Sequence, residues 1–558
     1  MGHRFQLWRY QSLHQVHLRT RDLRPCTCLQ HAMSRSVTGD PSRYGVGVAQ
    51  CLLLAAGLWL SCPVRSEEVA PAEPVFPTSG EISMDLNQIV QWAVWRNAAA
   101  AAARLQADAA GKLLQSEREL YTSTGFVRVR REGYDRPRTY EERTVSLTNI
   151  EKTSALEQIS SGGIGVRGKL PSGASFELSN EQRRRQSNLL GSTDERENRG
   201  TLTFTIKQPL LRGAGRDAVE ADLRVVEKEQ QIERQRFIKQ LLDTVGEAVG
   251  TYWQLIRSKQ ALAMRENALR SAFRLRDSVQ LLVDKGFAPR IELLEAEVAI
   301  GSRQTEVARA EQQLVESQSR VCNLLDVSAL ERMNLKFVPA NLPAEAAMAD
   351  ALAATPEPPS QMLELWPTYR IAKLRVEQET LRLAYAQNLE RPDLSLEAGY
   401  NFNSLDSRLR NSVQDSLSSK HPGWFVGATL EMPLSDVGVR SKREAQQLKL
   451  DAVRRQMQSE AHMAENEWVT RIAQLQASRS ELRQLRQEVS NRTLLLQAEL
   501  ANYERGRSRL RLLIEAQDLF NDSQQRLLEG EIRYQIAAMT VQVLGGTLLE
   551  SFGVRVIE

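Results

Sequence analysis

The chain has 558 residues, of which 42% are hydrophobic and only 6% aromatic, and its formal net charge is +4. Residues 1–66 hold eight arginines against two aspartates, and the remainder holds 65 basic and 67 acidic residues, so the basic excess predicts a targeting segment and no nucleic-acid partner. Only Cys322, His421 and His462 follow that segment, which excludes an intramolecular disulfide and disfavours a histidine metal site in the rest of the chain.

The N-terminal segment resembles an export signal. Residues 44–62 are apolar and uncharged, and Arg35 and Arg43 precede them. We therefore expect an N-terminal extension and signal peptide at 1–66 and a linker at 67–82, with Met33 as a possible start. Two alternatives remain open. One is lipidation at Cys62, and the other is a retained membrane anchor, for which this apolar run has about the shortest length that can span a bilayer.

A first helix is predicted over residues 83–120. Ser83 is the expected N-cap, and apolar residues from Leu86 to Val94 follow with helical spacing. A second helix with the same role is predicted near 364–390, where it ends before Pro392.

Several segments alternate between apolar and polar residues with a period of two. In chain order they are 164–170 and 174–179 around a turn at Pro171–Gly173, then 201–206, 394–402 and 424–432. Such alternation is typical of lipid-facing barrel strands, although a half-buried soluble sheet gives the same pattern. The charged stretches 132–160 and 182–199 predict outward loops. The first half of the chain therefore supplies either two or four membrane strands.

Two long helices are predicted at 217–285 and 439–505, each roughly 100 Å long at 1.5 Å per residue. Apolar residues recur every seven positions in the second, which indicates packing of helix on helix. Its seam consists of Trp468, Leu475, Leu482, Val489, Leu496 and Tyr503. Each helix ends at a glycine, Gly286 or Gly506, that suits a reversal of the chain. A second helix of about 40 residues follows each of these tips.

The two halves repeat one another at an offset of 220 residues without an insertion or deletion. Tyr252, Leu255, Leu262, Leu269, Val283, Gly286, Leu293, Glu295 and Ala296 correspond to Ile472, Leu475, Leu482, Val489, Tyr503, Gly506, Leu513, Glu515 and Ala516. We expect repeat 1 at 83–335, a linker or equatorial segment at 336–363, repeat 2 at 364–553 and a tail at 554–558.

Three sets of motifs stand out in the two repeats: Gln208–Arg216 with Met432–Gly438, the tips Gly286–Glu297 and Gly506–Gln517, and the closing Leu544–Leu549 with Tyr534. Together they resemble the TolC family of outer-membrane efflux and secretion channels. The resemblance covers residues 81–553 and implies an α+β membrane protein. In that fold, three copies share a transmembrane β-barrel, expected here to have 12 strands, and a periplasmic α-helical barrel.

The function that the resemblance implies is passive conduction in a tripartite efflux or type I secretion system. The partners implied are a periplasmic adaptor and an inner-membrane pump of the RND or ABC type, with the helices extending from the outer membrane into the periplasm. No cofactor or enzymatic activity is expected, since the sequence shows no nucleotide-binding loop or nucleophile motif. The alternative is a secreted periplasmic coiled-coil scaffold without channel activity.

The resemblance also suggests site residues. The tips Gly286, Ala288, Gly506 and Ser508 are expected to dock the adaptor. The candidates for the periplasmic constriction are Glu292, Glu295, Arg507, Arg509, Arg511 and Glu515. Leu512 stands where the family carries a second acid, and the three arginines make this tip basic. The expected turns from strand to helix contain Pro209, Leu210, Gly213, Gly215, Pro433, Leu434 and Gly438.

Overall fold

A computed structural model describes residues 80–145, 154–187, 196–333, 335–340, 362–418 and 420–554. The predicted signal segment, Cys62, most of the linker at 336–363 and all but the first residue of the C-terminal tail lie outside the described residues. The first half of the chain contains β1 Gly80–Met84, α1 Leu86–Arg96, α2 Ala98–Arg118, β2 Thr124–Pro137, α3 Tyr140–Val145, β3 Ser154–Lys169, β4 Ser175–Ser187, β5 Arg196–Pro209, α4 Arg216–Val219, α5 Ala221–Asp284, α6 Arg290–Leu324, α7 Ala329–Arg332 and β6 Leu335–Pro339, so that β1 begins before the predicted repeat 1 and β6 extends into the predicted linker. The second half contains α8 Met362–Leu365, α9 Pro367–Leu389, β7 Asp393–Asp406, α10 Leu409–Ser416, β8 Pro422–Glu431, α11 Val437–Glu504, α12 Leu510–Leu544 and α13 Leu548–Ser551.

The prediction that one helix begins at Ser83 is wrong. Ser83 lies in β1, whose backbone pairs with β6 in a parallel two-stranded sheet. Asp85 is the N-cap of α1, and its carboxylate accepts from the backbone N–H of Gln88 in a capping box. Asn97 then interrupts the helix, because its side chain caps the first turn of α2.

The other predicted helices are confirmed. The long helices α5 and α11 span 64 and 68 residues and end two residues before Gly286 and Gly506. The return helices α6 and α12 have 35 residues each and begin and end at positions that differ by 220. The duplication therefore extends to the helix boundaries.

A small residue allows the return helix α12 to approach its long helix α11 closely, and a matching row of buried residues occurs on α6. Buried residues recur every seven positions on both return helices. They are Ala296, Arg303, Ala310, Ser317 and Leu324 on α6, and Ala516, Ser523, Gly530, Ala537 and Leu544 on α12. At Gly530 an added Cβ would lie 2.5 Å from Leu485, so the absent side chain makes room for a leucine of α11.

The apolar core lies where the helices of the two repeats meet the small sheet. Buried residues of α1, α5, α6, β1 and β6 form one cluster, which Leu528 and Ile532 of α12 join. Trp468 and Leu475 of α11 form a second cluster with α12 and α8. Full burial of such side chains contributes about 1.5–3 kcal/mol each, so this region anchors both helical hairpins.

The remaining six strands form one antiparallel sheet in the order β2-β3-β4-β5-β7-β8. Repeat 1 therefore supplies four strands, which is one of the two alternatives left open by the sequence. The prediction of loops throughout 132–160 and 182–199 is wrong, because β2, β3, β4 and β5 extend into these stretches. In these stretches charge falls on both faces of the strands, as at Arg183–Arg185 of β4, because successive residues of a strand point to opposite faces.

The turn between β3 and β4 is held against the turn between β5 and α4. The backbone N–H of Gly215 donates to the carbonyl of Ser172 at 3.0 Å, and the hydroxyl of Ser172 donates to Oε1 of Gln208 at 2.8 Å. Gly173 has a φ of +92°, and a Cβ there would lie 2.6 Å from the carbonyl oxygen of Gly213. Only glycine fits this contact.

We expect Gly173→Ala to destabilise the protein by about 2 kcal/mol, because alanine would combine a positive φ with a backbone clash. The measurement is thermal denaturation of the detergent-solubilised protein. Gly133→Ala is the matched control, since Gly133 lies in β2 with nothing within 4 Å of an added Cβ. Equal denaturation midpoints for the two variants would show that the two turns are not in contact.

Candidate functional site

One face of the six-stranded sheet is apolar across all of its strands. Residues that pair directly in an antiparallel ladder project to the same face. One row consists of Gly125, Val166, Leu178, Phe204, Tyr400 and Trp424, and the next consists of Val127, Ile164, Asn180, Leu202, Phe402 and Pro422. Val127 is 76% exposed and Trp424 is 75% exposed, so this apolar face lacks a protein cover over much of its area.

The opposite face of the sheet is polar. It carries the threonines of β5 at 201, 203 and 205, Asn401 and Asn403 of β7, and charged residues on every strand. Phe126 and Phe425 are exceptions, and each ring covers a glycine of the neighbouring strand, Gly165 or Gly399. A sheet with one apolar and one hydrated face suits a wall between lipid and water.

The turns from strand to helix differ between the repeats. In repeat 1, Gly213 and Gly215 both have positive φ, and the N–H of Gly213 donates to Oδ1 of Asn388 at 2.9 Å. The N–H of Leu210 donates to the carbonyl of Leu394, next to Pro209. In repeat 2, Pro433 and Leu434 lie in the connection, whereas Gly438 is the second residue of α11 and has no positive φ. The turn role predicted for Gly438 remains a prediction.

Both helical tips reverse the chain with the same backbone hydrogen bonds. Gly286 has a φ of +76° and Gly506 a φ of +66°. The N–H of each glycine donates to the carbonyl three residues before it, and the next N–H donates to the carbonyl five residues before that residue. These bonds form the Schellman motif that ends a helix at a left-handed glycine. Ala288 and Ser508 occupy matching half-buried positions beyond the glycines.

The two tips pack against each other through apolar side chains. Val279, Ala296 and Leu510 are buried there, and Tyr503 and Leu293 pack around them. The hydroxyl of Tyr503 donates to Oε2 of Glu292 at 3.4 Å. Burial, with the nearby Glu292 carboxylate as a smaller contribution, raises the pKa of Tyr503 to about 12.

The structure brings the acidic candidates of the first tip beside the second tip. Glu292 contacts Tyr503, and Glu295 lies with Arg511 on one cleft between α6 and α12. Arg507, Arg509 and Glu515 are exposed. Among the described residues of one copy, none of the guanidinium groups of Arg507, Arg509 and Arg511 forms an ion pair.

The cleft between α6 and α12 has a volume of about 470 Å³ and an apolar rim. Ile291, Leu294 and Val298 line it with helical spacing and are all exposed. At its floor the buried guanidinium of Arg303 donates to Oδ1 of Asp518 at 3.0 Å and to Oε1 of Gln517 at 3.2 Å. Arg303 and Tyr503 are tip residues that the sequence motifs do not predict. The small residues that recur every seven positions on α6 could have revealed Arg303 as an inward-facing charge.

Two further observations limit the chemistry of the described residues. No cluster of three or more His, Cys, Asp or Glu side chains among them could hold a metal ion. None of the described helices is both long and apolar enough to cross a membrane.

We expect Tyr503 to ionise near pH 12, well above the ordinary pKa of 10, because burial favours its neutral form. Its contribution to stability is fully present below pH 10 and is lost as the pH rises from 10 towards 12. The measurement is the absorbance at 295 nm during alkaline titration, as the difference between the natural chain and Tyr503→Phe. A difference that develops around pH 10 would contradict the burial of this hydroxyl.

Comparisons with known proteins agree with the fold. Residues 359–547 match the outer membrane efflux protein family. The outer-membrane channel OprN aligns with a TM-score of 0.62 and 16% identity over 83% of this chain and 90% of its own. The CmeC outer membrane channel of Campylobacter jejuni aligns with a TM-score of 0.60 and 13% identity over 83% and 86%. The open state of the MtrE outer membrane channel of Neisseria gonorrhoeae aligns with a TM-score of 0.58 and 15% identity over 86% of this chain and 96% of its own.

A search of curated protein sequences finds no match. The structural similarity extends over both repeats, whereas the sequence match covers most of repeat 2. Residues 359–547 therefore form an outer membrane efflux protein domain, and the part of the chain that aligns with these structures has the fold of TolC-family channels, which confirms the resemblance stated from the sequence.

Proposed function

We propose that the protein is a homotrimeric channel of the outer membrane that conducts its cargo passively into the medium. The observation that carries the proposal is the six-stranded sheet, which has one apolar and one polar face. Two of its strands, β5 and β8, lead into the two helical hairpins. Strands of this length can cross a bilayer, and the long helices reach a further roughly 100 Å. One chain would thus form one third of the wall of a water-filled channel that runs from the cell surface into the periplasm.

The channel would serve a tripartite efflux or type I secretion system. The TolC-family fold supports this role, since it belongs to channels rather than to pumps or enzymes. Energy would come from an inner-membrane pump of the RND or ABC type, which a periplasmic adaptor connects to the helical tips.

The tips offer a docking surface for the adaptor. Gly286, Ala288, Gly506 and Ser508 lie at the ends of the hairpins, and the cleft between α6 and α12 begins beside them. The exposed row of Ile291, Leu294 and Val298 suits the apolar side of a partner helix. We propose that an adaptor hairpin packs into this cleft and holds the tips apart.

The constriction would be formed by charges from neighbouring copies. Arg507, Arg509 and Arg511 form no ion pair with the described residues of their own copy, and Glu292, Glu295 and Glu515 lie on the same pair of tips. In the trimer, arginines of one copy would pair with carboxylates of the next and keep the tips closed. Such pairs are exposed and contribute only about 0–1 kcal/mol each, so they suit a reversible closure.

We expect Arg511→Glu to raise the single-channel conductance in planar bilayers, because it would replace attraction between neighbouring tips by repulsion. Arg483→Glu is the matched control. Arg483 is exposed on α11 and lies about 30 Å from the tip at 1.5 Å per residue, so the same change of charge there should leave the conductance unaltered.

Equal conductance for Arg511→Glu and the natural chain would contradict the proposed role of Arg511 in closing the tips. An equal increase for both variants would indicate a general effect of charge in the tunnel and would contradict closure by pairing at the tips.

A further inference from the structure

The sheet of one copy has six strands, which is more than the four that each of three copies would contribute to a 12-stranded barrel. Such a barrel receives four strands from each copy, whereas this chain places six in one hydrogen-bonded sheet. The additional strands, β3 and β4, form a hairpin between β2 and β5, so they lie within the sheet and not at its edge.

The β3–β4 hairpin has the same two faces as its neighbours. Val166 and Ile164 of β3 and Leu178 of β4 share rows with Phe204 of β5 on the apolar face. Over the height that corresponds to residues 394–404 of β7, no charged residue lies on the apolar face of the described strands. This height matches the 9 to 11 residues or so that a tilted strand needs to cross a bilayer.

The hairpin also spans the full height of the sheet. Its turn contacts the beginning of α4 through the bond between Gly215 and Ser172, at the end where the helices start. At the other end, β4 continues to Ser187 beside Glu157 of β3. A hairpin that rose above the membrane as a surface loop would leave this turn far from the helices.

The helix α10 marks the outer limit of the apolar band. It packs on the apolar face, where the hydroxyl of Ser412 contacts Ser404 and the hydroxyl of Ser416 accepts from Asn180 at 3.1 Å. Three apolar residues spaced by four positions, and so on one side of the helix, remain exposed: Leu409, Val413 and Leu417. The exposed apolar surface therefore continues from the strands onto α10, as expected at a lipid boundary.

The edges of the sheet permit closure with identical copies. β2 and β8 are the two edge strands, and six antiparallel strands give them opposite directions. Rotation about an axis therefore places β8 of one copy antiparallel to β2 of the next. In lipid such closure is required, because unpaired edge groups have no water to bond.

We propose that all six strands of each copy lie in the membrane wall, so that the trimer encloses an 18-stranded barrel. The inference rests on the trimer proposed above. With strands about 4.8 Å apart and tilted by about 40°, the backbone diameter is about 36 Å, compared with about 24 Å for 12 strands. The wider barrel would leave the helical tips as the narrowest part of the path, and the membrane segment would admit bulkier cargo than a 12-stranded wall.

The test places a bimane fluorophore on single cysteines of the full-length chain, in a background without native cysteines, in vesicles. Ile164→Cys and Leu178→Cys report on the apolar face of the hairpin, and Ser179→Cys reports on its polar face. Phe204→Cys and Thr203→Cys are the matched positions on β5, paired with Leu178 and Ser179. β5 lies in the membrane wall whether the barrel has 12 or 18 strands. Quenching is compared between brominated lipid and aqueous iodide.

We expect brominated lipid to quench bimane at 164 and 178 as strongly as at 204, and iodide to quench it at 179 and 203. Quenching at 164 and 178 by iodide alone, with lipid quenching retained at 204, would overturn the 18-stranded wall and leave the proposed channel intact. Loss of lipid quenching at 204 as well would overturn the proposed function itself.

A second variant tests the width of the barrel. Replacement of residues 138–195 by Gly-Asn-Gly removes the hairpin and lets β2 pair directly with β5. We expect electron microscopy of trimers in nanodiscs to show a barrel narrowed by about one third. An unchanged barrel diameter would contradict the proposal, and a variant that fails to fold leaves the quenching measurement decisive.

Discussion

The two open edges of the six-stranded sheet are the constraint on which the rest of the structure depends. β2 and β8 each present a row of backbone amides and carbonyls, and the face between them is apolar. Lipid cannot satisfy such groups, and water cannot cover such a face without a large cost. In the proposed channel a bilayer covers this face and other copies pair with these edges, so association would be part of the fold.

The helices provide the rigidity that such association needs. Rows of buried residues recur every seven positions on α6 and α12, and Gly530 of α12 makes room for Leu485 of α11. The cluster around Trp253 packs the helices on the small sheet, and the cluster around Trp468 packs α11 on α12. Because β5 leads into α4 and α5, and β8 leads into α11, the same packing orients the strands. At the far end the tips meet through Tyr503 and Leu510, which couples the two repeats where closure would occur.

Much of this architecture could be predicted from the sequence because it depends on periodicity. Heptads around Leu475, the glycines at 286 and 506 and the alternation at 394–402 all have one dominant physical interpretation. The errors arose where local signals compete. Asp85 and Ser83 both suit an N-cap, and only the pairing of β1 with β6 decides between them. The charged ends of β2 and β4 resemble loops because charge there falls on both faces of the strand, as at Arg183–Arg185, and the period of two is lost. The pattern on α6 marks Arg303 only as inward-facing. Its contact with Asp518, like that of Tyr503 with Glu292, joins distant segments, and a single-helix pattern does not give such a partner.

The most direct test of the central claim is the mass of the native protein recovered from a carbonate-washed outer-membrane fraction, measured in mild detergent without heating. The account predicts recovery only with detergent and a mass of three chains, which heating in denaturant converts to one. Release into the aqueous wash as a monomer or dimer would contradict a shared membrane barrel. It would favour the alternative of a periplasmic coiled-coil scaffold.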